Sequence, residues 1–263
     1  MSEPVGLNQN KSDSKKRQEG GFDETIKVIV QALLIALVVR TVLFQPFNIP
    51  SGSMIPTLEI GDYLFVSKYS YGYSKHSMPF SPDLFKGRIM ATPPKRGDVV
   101  VFKLPRDNST DYIKRVIGLP GDKIQLIDGR LYINGQIAPR APVKKAVAKN
   151  AYGHLTEMPT YTETLPGGVA HTIIEIDGDT GINDSTSVFE VPPGHYFMMG
   201  DNRDNSTDSR VPADQGGVGF VPFENLVGRA EVIFFSVQDG EAAWQFWRWP
   251  WSARWSRLFQ PVR

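Results

Sequence analysis

Apolar residues are concentrated in one place. Ile26 to Phe44 reads IKVIVQALLIALVVRTVLF, weakened chiefly by Gln31 and Arg40. As a helix these nineteen residues extend about 28 Å, close to the roughly 30 Å hydrocarbon core of a bilayer. Arg40 sits about a turn from the end, where its guanidinium reaches the interface. The pattern predicts one transmembrane anchor over residues 25–44. Lys15, Lys16 and Arg17 before an apolar stretch also suit a cleaved signal peptide, but Thr41 to Pro46 offer no small-x-small site, which favours an uncleaved anchor. Residues 1–24 are rich in Lys, Ser, Gly, Gln and Asp, too polar to bury a core, and are expected to form a disordered tail. Lys11, Lys15, Lys16, Arg17 and Lys27 flank the amino end of the span, which places the tail in the cytoplasm and everything after Phe44 outside.

Beyond Phe44 the pattern changes to short β-branched and aromatic runs: Tyr63 to Lys68, Asp98 to Leu104, Tyr112 to Ile117, Lys123 to Ile127, Arg130 to Ile133, Val188 to Val191, His195 to Met199 and Ala230 to Val237. Gly, Pro and Asp clusters such as Leu119-Pro120-Gly121-Asp122 separate them. The expectation is a mainly β domain over 45–238. Asn134-Gly135, directly after one of these runs, signals a tight hairpin. Tyr71 to Lys95 and Pro139 to about Thr186 are irregular and polar, which reads as insertions on the β core. The closing segment, 239–263, holds all five tryptophans, interleaved with Arg248, Arg254 and Arg257. Either the rings pack on the core with arginines outward, or the segment meets the headgroups of a membrane.

The chain has 263 residues, 41% of them hydrophobic, and a net charge of +1. That balance suggests no bulk electrostatic partner, nucleic acid included. With no cysteine, disulfides, thiol catalysis and zinc–thiolate sites are excluded. His76, His154, His171 and His195 are scattered without metal-ligand spacing and are expected on the surface or in loops.

Ser51-Gly52-Ser53, bracketed by Pro50 and Pro56, has the stiff flanks and single permissive residue that would lift Ser53 into the open as a nucleophile; an ordinary turn has the same composition. A serine nucleophile needs a base. His195 with Asp201 would complete a histidine triad, although nothing local ties His195 to Ser53. Lysine serves only if burial keeps it neutral. In Tyr112 to Ile117, period two puts Lys114 on the face of Tyr112 and Val116, with Arg115 opposite. The polar cluster Gly200 to Arg210 has calcium-loop spacing, yet Ser206 replaces the needed glycine and no closing glutamate follows. Asp208 and Arg210 are spaced to pair, and Ser206 could bond a neutral amine. Ser12-Asp13-Ser14-Lys15, Asn205-Ser206-Thr207 and Arg96-Gly97-Asp98 match short motifs that a charged tail and ordinary turns explain.

Four separated segments, Pro50 to Leu58, Gly61 to Val66, Arg96 to Phe102 with Tyr112 to Asp122, and Gly200 to Arg210, resemble in order the sequence boxes of bacterial type I signal peptidases. The resemblance spans the anchor to about Val237. It implies a β-rich catalytic core with an inserted second β subdomain, placed here at about 129–186. The implied activity is that of a membrane-bound serine endopeptidase that removes signal peptides from exported preproteins after a small-x-small motif, without metal or cofactor. It makes Ser53 the nucleophile and Lys114 the general base. Ser51 would complete the oxyanion hole with the Ser53 N–H, Ser206 would orient Lys114, and Asp208 and Arg210 would brace the site. Phe47, Ile49, Pro50, Met54, Leu58, Tyr112, Ile113 and Thr207 would shape the substrate pockets, Thr207 standing where some members carry Ala. The implied location is the bacterial inner membrane, single-pass, with the catalytic domain on the periplasmic side near lipid and the export translocon. Other serine-lysine peptidases, of the self-cleaving repressor or conjugation-specific type, are the neighbouring readings, and a non-catalytic membrane-tethered β domain is the distant one.

Overall fold

The computed structural model describes residues 10–78, 81–143, 146–149 and 155–263. Helix α1 (Asn10–Val38) passes through a π-helical turn, Val39–Leu43, straight into strand β1 (Phe44–Asn48), with no residue between them. Among the described residues, one helical stretch, Phe22–Leu43, is long and apolar enough to cross a bilayer, and none of it is buried. Residues 10–24, expected to be disordered, are helical in the structure, and residues 1–9 lie outside the described residues. An apolar helix already nucleated can propagate through Lys, Gln and Glu at little cost per residue, which composition alone does not reveal. Two bonds fix the far end of the helix to the domain. Tyr73 Oη donates to the Val42 carbonyl at 2.9 Å, and the Lys68 N–H donates to the Leu43 carbonyl at 3.0 Å.

The body of the molecule is mainly β, as expected. Its strands include β2 (Asp62–Ser67), β3 (Val99–Lys103), β4 (Asp111–Gly118), β5 (Lys123–Ile127), β6 (Arg130–Ile133) and β7 (Gln136–Ile137). The main sheet runs β1, β2, Leu226–Ser236, β3, β4, His195–Met199, Val221–Pro222, with every pair antiparallel. Register shifts along Leu226–Ser236 make that long strand bulge, which increases local twist and curls the sheet. β3 shows why its sequence is an unbroken apolar run. Val99 and Val101 enter one core cluster with Ile49, Leu64 and Val66, while Val100 and Phe102 enter another with Val116 and Met198. Both faces of the strand are covered, so no position needs to be polar. Pro46, which lacks an N–H, sits in the edge strand β1, where one side of the ladder is unused.

A second sheet orders Phe189–Glu190, β5, β6 and β7. Its β6–β7 turn is Asn134-Gly135, with φ of 55° and 77°, the left-handed pair that the hairpin signal requires. The stretch from Pro139 to Thr186 is more regular than its polarity suggested. Arg140–Pro142, Thr160–Thr164 and Ala170–Ile174 form a three-stranded sheet, and Ala146–Lys149 pairs with Leu155–Met158. Threonine is β-branched and suits a half-covered sheet, so strands persist where apolar alternation is weak.

The closing segment departs from the alternative in which its rings would pack on the core and its arginines face outward. Arg254 and Arg257 turn inward, at 2.5 Å from Glu59 and 2.6 Å from the fully buried Asp62 respectively. Trp249 packs on Phe235 with ring centroids 4.6 Å apart. The remaining tryptophans and Phe246 face outward, Trp251 being 78% exposed and Trp244 70%.

Candidate active site

After β1 the chain is extended at Ser51 and then tightens into one 3-10 turn, Gly52–Met54, that carries Ser53. Gly52 does not use a left-handed conformation here. Its contribution is space, since a Cβ at Gly52 would meet Ile55 Cδ1 at 3.0 Å. Met54 goes to the core beneath and holds the turn down. Ser53 stays at the floor of a cleft, 8% exposed.

Lys114 reaches the same floor from β4. Its Nζ lies 2.6 Å from Ser53 Oγ, 3.0 Å from the Ile113 carbonyl and 5.5 Å from the centre of the Tyr112 ring. The side chain is only 3% exposed. Burial is the main force on its charge and pushes the amine down to about 8; Asp208 and Asp201 pull the other way, and Arg210 adds to the depression. An amine so placed is partly neutral at mildly alkaline pH and can accept a proton from the serine it touches.

The loop after the strand His195–Met199 packs directly on the turn that carries Ser53. The Asn202 N–H donates to the Ser53 carbonyl at 3.1 Å, and Asn202 Nδ2 donates to the Gly52 carbonyl at 3.0 Å. A Cβ on Gly200 would meet Ser206 Oγ at 2.2 Å and the Ser53 carbonyl oxygen at 2.5 Å, so only glycine lets these two segments approach. Asp208 and Arg210 pair at 2.9 Å, both buried. The Asp208 carboxylate also accepts the Gly200 N–H at 3.0 Å, and the Arg210 guanidinium donates to the Arg203 carbonyl. Arg210 holds the Asp208 carboxyl below its ordinary range, against the opposing effect of burial. Ser206 Oγ is buried beside the site without a hydrogen-bond partner, so no bond to Lys114 is present.

The cleft encloses about 530 Å³, and Phe47, Ile49, Pro50, Ser51, Tyr112, Ile113 and Thr207 line it, as the sequence suggested. Met54 and Leu58 are different. Both are fully buried in the first core cluster and do not line the cleft, because apolar side chains below a turn have more to gain from the sheet than from an open surface. Sequence reasoning missed Asn48, Val101, Thr110, Asp111 and Asn205, which also line it. It also missed the bracing role of Asn202, whose only signal was membership of the polar cluster 200–210.

No histidine triad forms. Asp201 is held by Arg115, at 2.8 Å through Nε and 2.6 Å through Nη2, and accepts from Thr57 Oγ1 at 2.5 Å. His195 Nδ1 lies 3.0 Å from the Pro193 carbonyl. Contrary to the surface expectation, His76 and His171 are buried. His171 lies 3.6 Å from Glu163, a partner supplied by the neighbouring strand and invisible in local sequence. His154 lies outside the described residues.

A family model described as "Signal peptidase, peptidase S26" matches residues 22–235. The chain belongs to that family. It is accordingly a serine peptidase, a hydrolase. Among its relatives, the signal peptidase I of Rickettsia typhi is 47% identical over 213 residues, covering 78% of this chain and 77% of that one. That of Rickettsia prowazekii is 44% identical over 238 residues, covering 88% and 84%. A crystal structure of a signal peptidase I from Enterococcus faecalis V583 is 29% identical and covers 52% of this chain and 97% of that one, with a TM-score of 0.30. Membership of a peptidase family removes the non-catalytic binding domain from consideration.

Proposed function

We propose that this protein is a membrane-anchored signal peptidase that removes signal peptides from exported preproteins, using a Ser53–Lys114 dyad. The 2.6 Å contact between Lys114 Nζ and Ser53 Oγ, buried and free of any carboxylate bonded to the amine among the described residues, carries the reading. Ser53 Oγ attacks the scissile carbonyl carbon as its proton passes to neutral Lys114. The oxyanion is held by the Ser51 hydroxyl and the Ser53 N–H. Collapse breaks the C–N bond, and the Lys114 ammonium returns its proton to the departing amine. Water, deprotonated by Lys114, then attacks the ester, and Ser53 recovers its proton as the new carboxylate leaves. Ser206, with an unspent hydroxyl beside this machinery, takes a bond from Lys114 once the ammonium forms. Asp208 and Arg210 hold the loop that positions Ser206.

The cleft walls explain a preference for small side chains before the scissile bond. Phe47, Ile49 and Ile113 bound an apolar space, Thr207 trims it further, and Asp111 on the same cleft is paired with Lys103 at 2.9 Å. The conjugation-specific readings share the dyad, and substrate separates them. Detergent-solubilised protein should shorten a labelled preprotein at its small-x-small site, and Ser53→Ala and Lys114→Ala should each abolish the shortening. Cleavage by Lys114→Ala would refute the dyad.

Residues 25–44 form the tether and 45–238 the peptidase domain, with its insertion at about 129–186. The basic residues ahead of the span orient it with the amino end cytoplasmic and the peptidase domain on the outer face of the inner membrane, near the translocon that delivers its substrates. Segment 239–263 rests on lipid through its outward rings, while Arg254 and Arg257 tie it to the domain. All five tryptophans of the chain lie in this segment, so their fluorescence reports on it alone. In proteoliposomes, brominated lipids should quench that emission; equal emission from brominated and ordinary lipid would refute the contact.

A further inference from the structure

A second cluster of buried charge lies where the inserted sheet meets the loop that carries Ser206. Glu175 follows the strand Ala170–Ile174, Asp184 closes the turn Asp177-Gly178-Asp179-Thr180-Gly181-Ile182-Asn183-Asp184, and Asp204 belongs to the loop 200–210. One carboxylate oxygen from each lies within 4.8 Å of the other two. Glu175 and Asp184 are 0% and 2% exposed. Each nevertheless keeps one oxygen, Glu175 Oε2 and Asp184 Oδ1, with no hydrogen-bond partner.

The existing partners do not account for three carboxylates. Glu175 Oε1 receives one long bond from Arg140 Nη1, at 3.4 Å. Asp184 Oδ2 accepts the Gly181 N–H at 2.6 Å, and Asp204 Oδ2 accepts the Asp177 N–H at 2.8 Å. Of the other cations whose charge reaches the cluster, Arg203 bonds Glu163 at 3.1 and 2.5 Å and Arg210 bonds Asp208 at 2.9 Å, and neither bonds a cluster carboxylate. Buried carboxylate oxygens without partners are accommodated by protonation or by a compensating positive charge, and three carboxylates meeting at one place favour the charge. Glycine also leaves space between two of the three carboxylates. A Cβ on Gly181 would meet Asp204 Oδ1 at 2.4 Å and Asp184 Oδ2 at 3.0 Å, so any side chain there would fill the space between the carboxylates.

An all-oxygen donor set selects a hard cation. Calcium binds oxygen at about 2.3–2.6 Å in irregular geometry set by the ligands the fold supplies, whereas magnesium at about 2.0–2.1 Å demands near-ideal octahedral geometry and keeps several waters, so three clustered carboxylates suit calcium better. We propose that Glu175, Asp184 and Asp204 bind a calcium-class divalent cation that ties the inserted β-sheet to the catalytic loop. The ligands come from two segments, the turn after the strand Ala170–Ile174 and the loop 200–210, and the site is distinct from the calcium-loop spacing within 200–210, of which only Asp204 takes part. The proposal is independent of the peptidase reading.

The test uses full-length protein in detergent, stripped with EDTA, desalted and titrated with CaCl2 by calorimetry while thermal unfolding is followed in parallel. One calcium per chain and a saturable rise of several degrees in the unfolding midpoint are expected, with a smaller rise from MgCl2. Asp184→Asn should weaken binding at least tenfold. Asp204→Asn should do the same while keeping the oxygen that accepts the Asp177 N–H, so it supplies a folded variant even if Asp184→Asn misfolds. No heat and no midpoint shift up to about 10 mM calcium, above the range of weak extracellular sites, would overturn the proposal. So would unchanged affinity in folded Asp204→Asn, and an equal response to magnesium would overturn the calcium assignment.

Discussion

Lys114 and Arg115 are neighbours on β4, both cationic by nature and both almost entirely buried, yet their surroundings differ completely. Arg115 meets a carboxylate: Asp201 takes two of its N–H groups, and the Gly97 carbonyl takes another at 2.8 Å. Lys114 meets a hydroxyl, a carbonyl and an aromatic ring. The first environment fixes a charge in place; the second makes the charge expensive and leaves the proton exchangeable. Burial is common to both, so it is the partner that separates an ion pair serving structure from a base serving chemistry. Alternation along a strand achieves the separation in one step, because adjacent residues face opposite sides.

The contrast is sharpest in Lys114→Met. Turnover should fall by about 10⁴-fold or more, since the serine loses its base. Stability should move the other way. Holding the amine from 10.5 down to about 8 costs the fold on the order of 3 kcal/mol while both folded and unfolded chains are protonated, that is, below about pH 8. Methionine removes that cost, so thermal unfolding at pH 7 should show a more stable protein; a lower midpoint would break the comparison. In the wild type the same penalty should fade as pH rises from about 8 towards 10.5, where only the unfolded chain still binds the proton.

Arg115→Met should do the reverse and destabilise by about 3–5 kcal/mol, because Asp201 is left buried and unpaired. Denaturant unfolding reads it, and a loss under 1 kcal/mol would show that the pair adds little. Next in size is the pH profile. Preprotein cleavage should climb about tenfold per pH unit below roughly 8 and level off above it, and a flat profile from pH 6 to 9 would separate Lys114 from the proton transfer. The smallest effect belongs to Ser206→Ala, where kcat should drop by about tenfold with KM little changed, because its bond forms only after the ammonium does. Equal kcat would remove Ser206 from the machinery.

What could be read in advance divides along the same line. The apolar span, the strands and the Asn134-Gly135 hairpin are local patterns, and the structure reproduces them. Local pattern made Ser53 and Lys114 candidates and the family resemblance singled them out, but it is the pairing of β3 with β4 and the packing of 200–210 on the turn 52–54 that bring them together. The partners of the buried arginines lay out of reach. Asp201 is 86 positions from Arg115, and Glu163 is 40 from Arg203. Nothing local distinguishes such residues from a solvated surface. The resemblance placed Met54 and Leu58 among the pocket residues, and the pattern left open which way Arg254 and Arg257 point, since direction across a sheet depends on what covers each face.

Helix and sheet meet without a spacer at Leu43 and Phe44, and the junction is stitched to Tyr73 and Lys68. A flexible leash would let the domain roam over a hemisphere of positions; this joint makes it a ruler. On the proposed reading, with the helix standing in a bilayer, Ser53 would work at one height, and a preprotein would have to bring its scissile bond to that height to be cut. The length of the substrate's own apolar stretch would then become part of its address, alongside the small side chains proposed to fit the cleft.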